Sequence, residues 1–594
     1  MVYAGLMIPI SQIPVSITGQ TWCWRGDRAG ASGEAMQQDD LVAQLLLARG
    51  CAPDELDAHR TPTIRHFMPD PSCFRDMDAA ARRLADAVAA QERVTIYGDY
   101  DVDGATSAAL LIRLLRSLGL DAGYYIPDRL MEGYGPSGEA LVRLAEAGST
   151  LIVTVDCGAQ AFEALAMARA AGVDVVVVDH HKCASALPEA FALVNPNRLD
   201  ETTEAAVHGH LAAVGVAFLL GAALLRELRQ RGFLAERAEP RLIDLLDLVA
   251  LGTVADVAQL RGLNRAFVAQ GLKVMAQENN IGLAALARAS RLTRAPLCHD
   301  LGFALGPRIN AGGRVGKSDL GVRLLTTTDE AEARDIAAEL DRLNEERRAI
   351  EAMVQEEAER LTETQGNRSV VLVSGMGWHP GVIGIVAGRL KEKLGRPAIV
   401  IAADDAGVGK GSGRSVSGVD LGAAVLAAKD TGLLVAGGGH AMAAGLTVAM
   451  ERVGALHDFL DARLGADVAR ANTARTLLLD AVVSPRGVCP DLVNSLDAAG
   501  PYGAGWPAPR VATGPMRIVK ADVVGNGHVR LVLSGRDGGS LKAVAFRQAD
   551  SPLGQELLHL SKNRTLWMAG RAKIDDWGGG RTAELHLDDA AWAD

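Results

Sequence analysis

The sequence has no CxxC pair: its seven cysteines, Cys23, Cys51, Cys73, Cys157, Cys183, Cys298 and Cys489, are scattered and odd in number. That pattern argues against a zinc finger or dithiol redox motif and favours a reducing, cytoplasmic setting over a disulfide framework. A basic leader is missing too. The mildly apolar stretch Met1 to Gln20 is broken by Pro9 and Pro14 before any run of membrane length, so a soluble chain without a membrane partner is expected. Low-complexity tracts are absent, and 48% hydrophobic with 22% charged residues describes an ordinary globular protein, not a disordered one. Nor is there an excess of positive charge. The net charge of −11 argues weakly against nucleic acid as partner, since phosphate contacts leave a basic footprint. Pro501 to Asp594 nevertheless holds twelve Lys/Arg against ten Asp/Glu, so this last segment is near neutral while the rest is acidic. At 594 residues the chain exceeds a single core, and usual domain sizes imply roughly three to five units.

Residues 1 to about 75 carry only one short helical run, near Asp39 to Leu47. The pattern sharpens at Val94 and Ile96, which lead into Gly98-Asp99-Tyr100-Asp101-Val102-Asp103-Gly104 and then a helical run, Ala105 to Leu118. The same strand, loop and helix alternation recurs at Leu151 to Val155 with Asp156-Cys157-Gly158, and at Val173 to Val178 with Asp179-His180-His181. Continuous β-branched runs between helices predict a parallel sheet covered on both faces. An apolar helix, Arg241 to Leu251, delivers Gly252-Thr253-Val254-Ala255-Asp256. Asp329 to Gln365 lacks Gly and Pro and keeps helical spacing, with Thr327 and Glu330 as a capping box. A long helix joining two lobes is expected there. From Ser369 a second α/β lobe follows, with two glycine-rich loops, Gly411-Ser412-Gly413-Arg414-Ser415 and Gly437-Gly438-Gly439-His440. Beyond Leu477, short alternating runs split by Gly and Asp suit a small β-barrel.

Three strand ends therefore carry carboxylates or histidines, and ligands of open α/β sheets collect outside those ends. Asp101, Asp103, Asp156, Asp179, His180 and Asp256 can converge there. Such an oxygen-rich set with imidazole suits Mn2+ or Mg2+, and carboxylates so close repel unless cations lie between them. Two ions make phosphodiester hydrolysis the natural reaction. A calcium EF-hand starting at Asp99 would need a bidentate Glu at its twelfth position, where Leu110 stands. Asp156 and Asp256 taken singly are also good helix caps.

In order and spacing, the Asp99–Gly104, Asp156–Gly158, Asp179–His181 and Gly252–Asp256 motifs resemble those of the DHH phosphoesterase family, and Gly437–His440 resembles the signature of the associated DHHA1 domain. Leu301–Arg314 and Gly500–Pro507 extend the likeness to the members that degrade single-stranded DNA. The resemblance implies a two-lobed α/β phosphoesterase with a parallel sheet, a long connecting helix, a DHHA1 lobe and a C-terminal OB-type barrel. Its division would be an N-terminal extension (1–75), catalytic domain (76–325), connecting helix (326–366), DHHA1 domain (367–470) and OB-fold (471–594). Asp101 and Asp156 would hold one ion, and Asp103, Asp156, His180 and Asp256 the other, with His181 facing the scissile phosphate. Tyr97 stands where many members place a histidine, so Asp99 or water would complete the first site. Arg314, Ser412 and Arg414 would receive a terminal 5′-phosphate, with Arg308 and His440 as further substrate contacts. Tyr502 and Trp506 either stack on bases or serve as core or hinge. The implied activity is 5′→3′ removal of nucleotides from single-stranded DNA by a monomer, in repair and recombination, alongside single-strand binding protein and a helicase. The rival readings are a family enzyme for small substrates such as oligoribonucleotides or cyclic dinucleotides, and a non-catalytic DNA-binding scaffold.

Overall fold

The structure, a computed structural model, describes residues 16–25, 41–128, 132–133, 135–473, 475–559, 564–575 and 582–593; Asp39 and Asp40, at the start of the expected first helix, lie outside them. The chain forms two compact units, one of Met1–Pro69, Val257–Leu272 and Arg475–Asp594, the other of Asp70–Asp256 and Lys273–Ala474.

The second unit contains a five-stranded, wholly parallel sheet: β1 (Val94–Gly98), β2 (Gly123–Tyr125), β3 (Leu151–Val155), β4 (Asp174–Val178) and β5 (Ala192–Val194), in the order β2-β1-β3-β4-β5. Every residue of β1 and β3 is buried, as uninterrupted apolar runs require. From β1 the chain proceeds to β2 on one side, while β3 lies on the other, so the strand order reverses at the β1–β3 seam. Adjacent crossovers leave on opposite faces there and open a crevice at the carboxyl ends. Three helices approach it: α1 (Val102–Ser117), α2 (Ala213–Gln230) and α3 (Leu246–Ala255). The last begins later than the sequence suggests, because Leu242–Leu245 forms a 3-10 turn.

Next come α4 (Gly306–Val315) and the 34-residue α5 (Glu330–Glu363), roughly 50 Å long at helical rise. Its cap is Asp329, not Thr327: the Asp329 carboxylate accepts from Ala331 N at 2.7 Å and Glu332 N at 3.2 Å. Thr327 instead donates its hydroxyl to Glu332.

A mixed sheet follows, built from β6 (Val371–Met376), β7 (Ala398–Ala403), β8 (Val408–Arg414), β9 (Ala436–His440) and β10 (Ala443–Ala449) in the order β9-β10-β8-β7-β6, with α6 (Ile383–Leu394) and α7 (Leu421–Asp430). Here the structure corrects the sequence reading. Both glycine-rich segments are strands, β8 and β9, not loops. A Cβ on Gly411 would sit 2.7 Å from Leu446, and one on Gly413 2.7 Å from Leu421. The glycines on β8 admit core side chains from neighbouring elements, and strand alternation turns Ser412 and Arg414 to the opposite face.

In the other unit, β11 (Val511–Val524), β12 (His528–Gly535), β13 (Ser540–Ala545), β14 (Leu566–Ile574) and β15 (Ala583–Trp592) pair in the circuit β11-β12-β13-β15-β14-β11, a closed five-stranded barrel. Residues assigned to an N-terminal extension belong to this unit: Thr21–Trp24 pairs with Thr476–Leu479, and Trp22 Nε1 donates to Asp589 at 2.9 Å. Tyr502 and Trp506 serve structure here. The Tyr502 hydroxyl donates to Leu496 O, and the Trp506 ring lies 5.1 Å from the Arg49 guanidinium and 5.2 Å from that of Arg265. Fully buried Arg265 donates to the carbonyls of His59, Ala499, Gly500 and Pro501. Replacing it with Ala would strand four acceptors and should cost this unit about 3–5 kcal/mol in urea unfolding, as for other buried charged partners; a loss under about 1 kcal/mol would contradict that role.

Candidate active site

Each acidic motif reaches the crevice by a local backbone device. At the end of β1, Asp101 caps α1 by accepting from Gly104 N at 3.0 Å. Gly104 is obligatory, since a Cβ there would lie 2.4 Å from Asp99 O. Beyond β3, Asp156 takes a left-handed conformation (φ 61°), with its N–H donating to Val178 O at 3.0 Å. Non-glycine residues rarely adopt that region, and such strain gathers where a side chain must be aimed. Asp103 Oδ2 and Oδ1 accept from Ala213 N and Val214 N at 2.7 and 2.9 Å, the first amides of α2. Gly252 lets α3 close on α1, because a Cβ there would meet Thr106 at 2.3 Å; Asp256 follows at the helix end.

These side chains form overlapping groups whose candidate ligand atoms lie within 4.8 Å of one another: Asp99, Asp101 and Asp156; Asp103, His180 and Asp256; Asp156, His180 and His181. Asp156 joins the first to the third, and His180 the second to the third. His180 Nε2 is 3.3 Å from Asp156 Oδ1 and 3.8 Å from Asp103 Oδ2. Its Nδ1 lies 3.0 Å from Leu211 O, and a carbonyl only accepts, so that nitrogen carries the proton. Asp179, placed with the ligands by sequence, stands one layer behind. Its Oδ1 accepts from His180 N, His181 N and His181 Nδ1 at 2.7, 3.1 and 2.7 Å, and its Oδ2 from Ala159 N at 3.0 Å.

Burial and the neighbouring Asp101 push Asp103 up to about 7. Burial and Asp103 push Asp256 up to about 8. Asp156, desolvated and facing four carboxylates, is raised well above its ordinary value. Burial together with the charge of His181 lowers His180 to about 4, which makes it neutral at physiological pH. His181 behaves oppositely: burial disfavours its charge, but the hydrogen bond to Asp179 and that residue's charge outweigh this and lift it to about 9.

A divalent cation fits this donor set. With Nδ1 protonated and the ring neutral, the His180 Nε2 lone pair points toward anionic oxygens, and this buried atom makes no hydrogen bond among the described residues. A cation or a shared proton between them makes that contact favourable, and the Leu211 bond is the orienting partner expected of a metal-binding imidazole. Sequence reading missed that carbonyl, the α2 amides, and Asn195 and Asn197, which donate to the His181 and His180 carbonyls at 2.8 and 2.6 Å. The two asparagines flank Pro196 after a short apolar run, the one available signal; backbone groups leave none. Tyr97 is buried in the sheet core with its hydroxyl donating to Gly135 O, and Asp99 stands in the adjoining carboxylate group.

A basic patch adjoins the carboxylates. Arg314 donates to Gly381 O at 3.0 Å, and Arg414 to Ser412 Oγ at 3.1 Å. A Cβ on Gly384, in the first turn of α6, would lie 3.0 Å from Ser412 Oγ and 3.1 Å from Arg414. Burial lowers both arginines, Arg314 lies within electrostatic reach of Asp101, and Arg414 within reach of Arg314. Two desolvated guanidinium groups this close call for an anion. Arg308 is instead paired with Asp341 at 2.8 Å. His440 is exposed at the end of β9 and takes no part in the carboxylate groups.

Fold and ordered acidic motifs define the class: a DHH phosphoesterase with a DHHA1 lobe. The DHH family, N-terminal domain, matches residues 93–253, the DHHA1 domain 367–466 and the RecJ OB domain 479–589. The single-stranded-DNA-specific exonuclease RecJ of Dickeya dadantii is 39% identical over 523 residues, covering 86% of this chain and 89% of that protein. The RecJ of Bacillus subtilis is 33% identical over 570 residues, covering 95% and 70%. The crystal structure of RecJ from Thermus thermophilus in complex with Mn2+ matches with a TM-score of 0.77 at 30% identity, over 93% of this chain and 76% of that one. The chain belongs to the RecJ family.

Raised carboxyls set the pH response. Asp103 and Asp256 hold protons in the folded state that the unfolded chain has released, so their contribution to metal-free stability is lost as pH rises through about 7 and 8. A cation displaces those protons and binds more weakly where they are held. Saturating Mg2+ or Mn2+ should therefore raise the melting temperature more at pH 8 than at pH 5.5 in differential scanning fluorimetry; an equal or reversed difference would place cation binding elsewhere.

Proposed function

We propose that the chain hydrolyses the phosphodiester bonds of single-stranded DNA in the 5′→3′ direction, releasing mononucleotides, with two divalent cations, Mn2+ or Mg2+. One observation carries the reading: the acidic cluster sharing Asp156 and His180 lies beside the Arg314–Ser412–Arg414 patch, so one element attracts cations and the other a phosphate. Asp99, Asp101 and Asp156 would hold one ion; Asp103, Asp156, His180 and Asp256 the other. When bound, such ions neutralise the carboxylates, activate water and draw charge from the phosphoryl oxygens. The chain's own groups do the rest. Asp179 fixes His181 through Nδ1 and keeps it protonated at neutral pH, so that Nε2–H can donate to a phosphoryl oxygen. Arg314, Ser412 and Arg414 hold the 5′-phosphate and so select a chain end. The closed barrel would grip the strand by stacking and backbone contacts, as other OB-folds do, which a small substrate would not require.

The reading keeps the five-part division at residues 75, 325, 366 and 470 as a division along the chain, with Thr21–Trp24 of the first part pairing onto Thr476–Leu479 of the last, and a monomer acting in repair and recombination alongside single-strand binding protein and a helicase. None of the described helices is long and apolar enough to cross a membrane.

Incubation with end-labelled single-stranded DNA, with Mn2+, Mg2+ or EDTA, tests the proposal. Mononucleotides should leave from a 5′-phosphorylated end, EDTA should stop their release, and Asp156→Ala should lower the rate at least about 10³-fold. Digestion that persists in EDTA, or that starts from the 3′ end of a 5′-blocked strand, would overturn it. Arg414→Ala should raise KM for 5′-phosphorylated strands about 10-fold or more while changing that for 5′-hydroxyl strands little, one charged contact being of that size.

A further inference from the structure

Adjoining the phosphate patch is a cavity of about 350 Å³ that the proposed hydrolysis leaves unused. Three helices supply most of its lining. From α4 come Arg308 and Arg314; from α5 come Asn344, Arg347, Arg348 and Glu351, whose spacing puts them on one helix face; from α6 come Ile385 and Arg389. Ile385 directly follows Gly384, the residue packed against Ser412 and Arg414, so one helix turn faces both the patch and the cavity. Arg314 belongs to both.

The ion pairs of the lining leave positive charge over. Arg308 pairs with Asp341, while Arg347 and Arg389 share Glu351. Arg348 has no ion pair among the described residues, and Arg314 donates to a backbone carbonyl. Five guanidinium groups thus face two carboxylates. Arg314 is close enough to Arg347 and to Arg414 to lower the affinity of each for its proton. A continuous basic track therefore runs from Arg414 through Arg314 to Arg347, beginning at the patch and extending past it. Structural salt bridges alone would call for matched charges; a surplus of guanidinium around an empty volume calls for a polyanion.

We propose that this cavity receives the outer phosphates of a 5′-triphosphate end, so that the protein binds 5′-triphosphorylated single strands more tightly than 5′-monophosphorylated ones. The inference rests on the 5′-phosphate role of the Arg314–Ser412–Arg414 patch. That patch would hold the first phosphate, beyond which a DNA chain offers nothing further unless its end carries more than one. Arg348 and Arg389 reach the outer phosphates. Arg347, tied to Asn344 and Glu351, keeps the wall in shape.

Equilibrium binding of the full-length protein to 3′-fluorescein oligothymidylates tests this, by anisotropy in Ca2+ at fixed salt, with 5′-hydroxyl, 5′-monophosphate or 5′-triphosphate ends. The triphosphate should bind about tenfold tighter than the monophosphate, the effect of a single added charge-assisted contact. In Arg348→Gln, which breaks no ion pair, and in the Arg348→Gln/Arg389→Gln double variant, that advantage should shrink toward about twofold while monophosphate affinity holds. Equal affinity of wild type for the two phosphorylated ends, or an equal loss on both in the variants, overturns the proposal. Failure of the underlying reading looks different: the monophosphate would then bind no better than the hydroxyl end.

Discussion

Negative charge held out of water at the β1–β3 seam is the condition around which the catalytic unit is organised. Asp103 and Asp156 are almost wholly buried, with Asp99 beside them, and a carboxylate in such a place is costly unless something answers its charge. Part of the answer is built into the backbone: the amides of Ala213 and Val214 bind Asp103, and Gly104 N binds Asp101. The remaining carboxylates crowd one another there, and a divalent cation between them would relieve their repulsion. The same requirement explains the backbone strain at Asp156 and the closeness of Gly252 to Thr106.

The two adjacent histidines show how local bonding divides roles between like residues. His180 donates to a carbonyl, is desolvated and stays neutral, so its other nitrogen offers a lone pair. His181 faces a carboxylate, stays protonated and offers a hydrogen instead. Asp179 sets both through its contacts with their backbone and side chain. One residue of offset along the chain thus separates a neutral imidazole from a protonated one.

Charge complementarity also reconciles an acidic chain with the nucleic-acid substrate proposed for it. The net charge of −11 is a property of the whole molecule, whereas Arg314 and Arg414 act where water is largely excluded and where Asp101 and Glu351 are the carboxylates within reach of Arg314. Field strength at a desolvated site depends on a few nearby groups, not on the sum.

Sequence periodicity carried the parallel sheet, the long α5 helix and the alternating barrel strands, because burial on two faces, one face or one stripe each leaves its own repeat. It also carried the acidic motifs in order, since Asp, His and Gly at strand ends have few other uses together. What it could not carry were facts of packing between distant segments. The glycines of β8 and β9 look like loop formers in a linear reading; only the neighbours Leu446 and Leu421 reveal those of β8 as strand residues that make room. Trp22 gives no signal until Thr476–Leu479 and Asp589 are set against it. Nor could a one-dimensional pattern separate Asp179 from the ligands or give His180 its tautomer, because both depend on Leu211 and Ala159, backbone groups without a side-chain signature. The chain's order of residue types determined which chemistry was available; the folded contacts decided which atom performs it, since hydrogen bonding and desolvation act through space and not along the sequence.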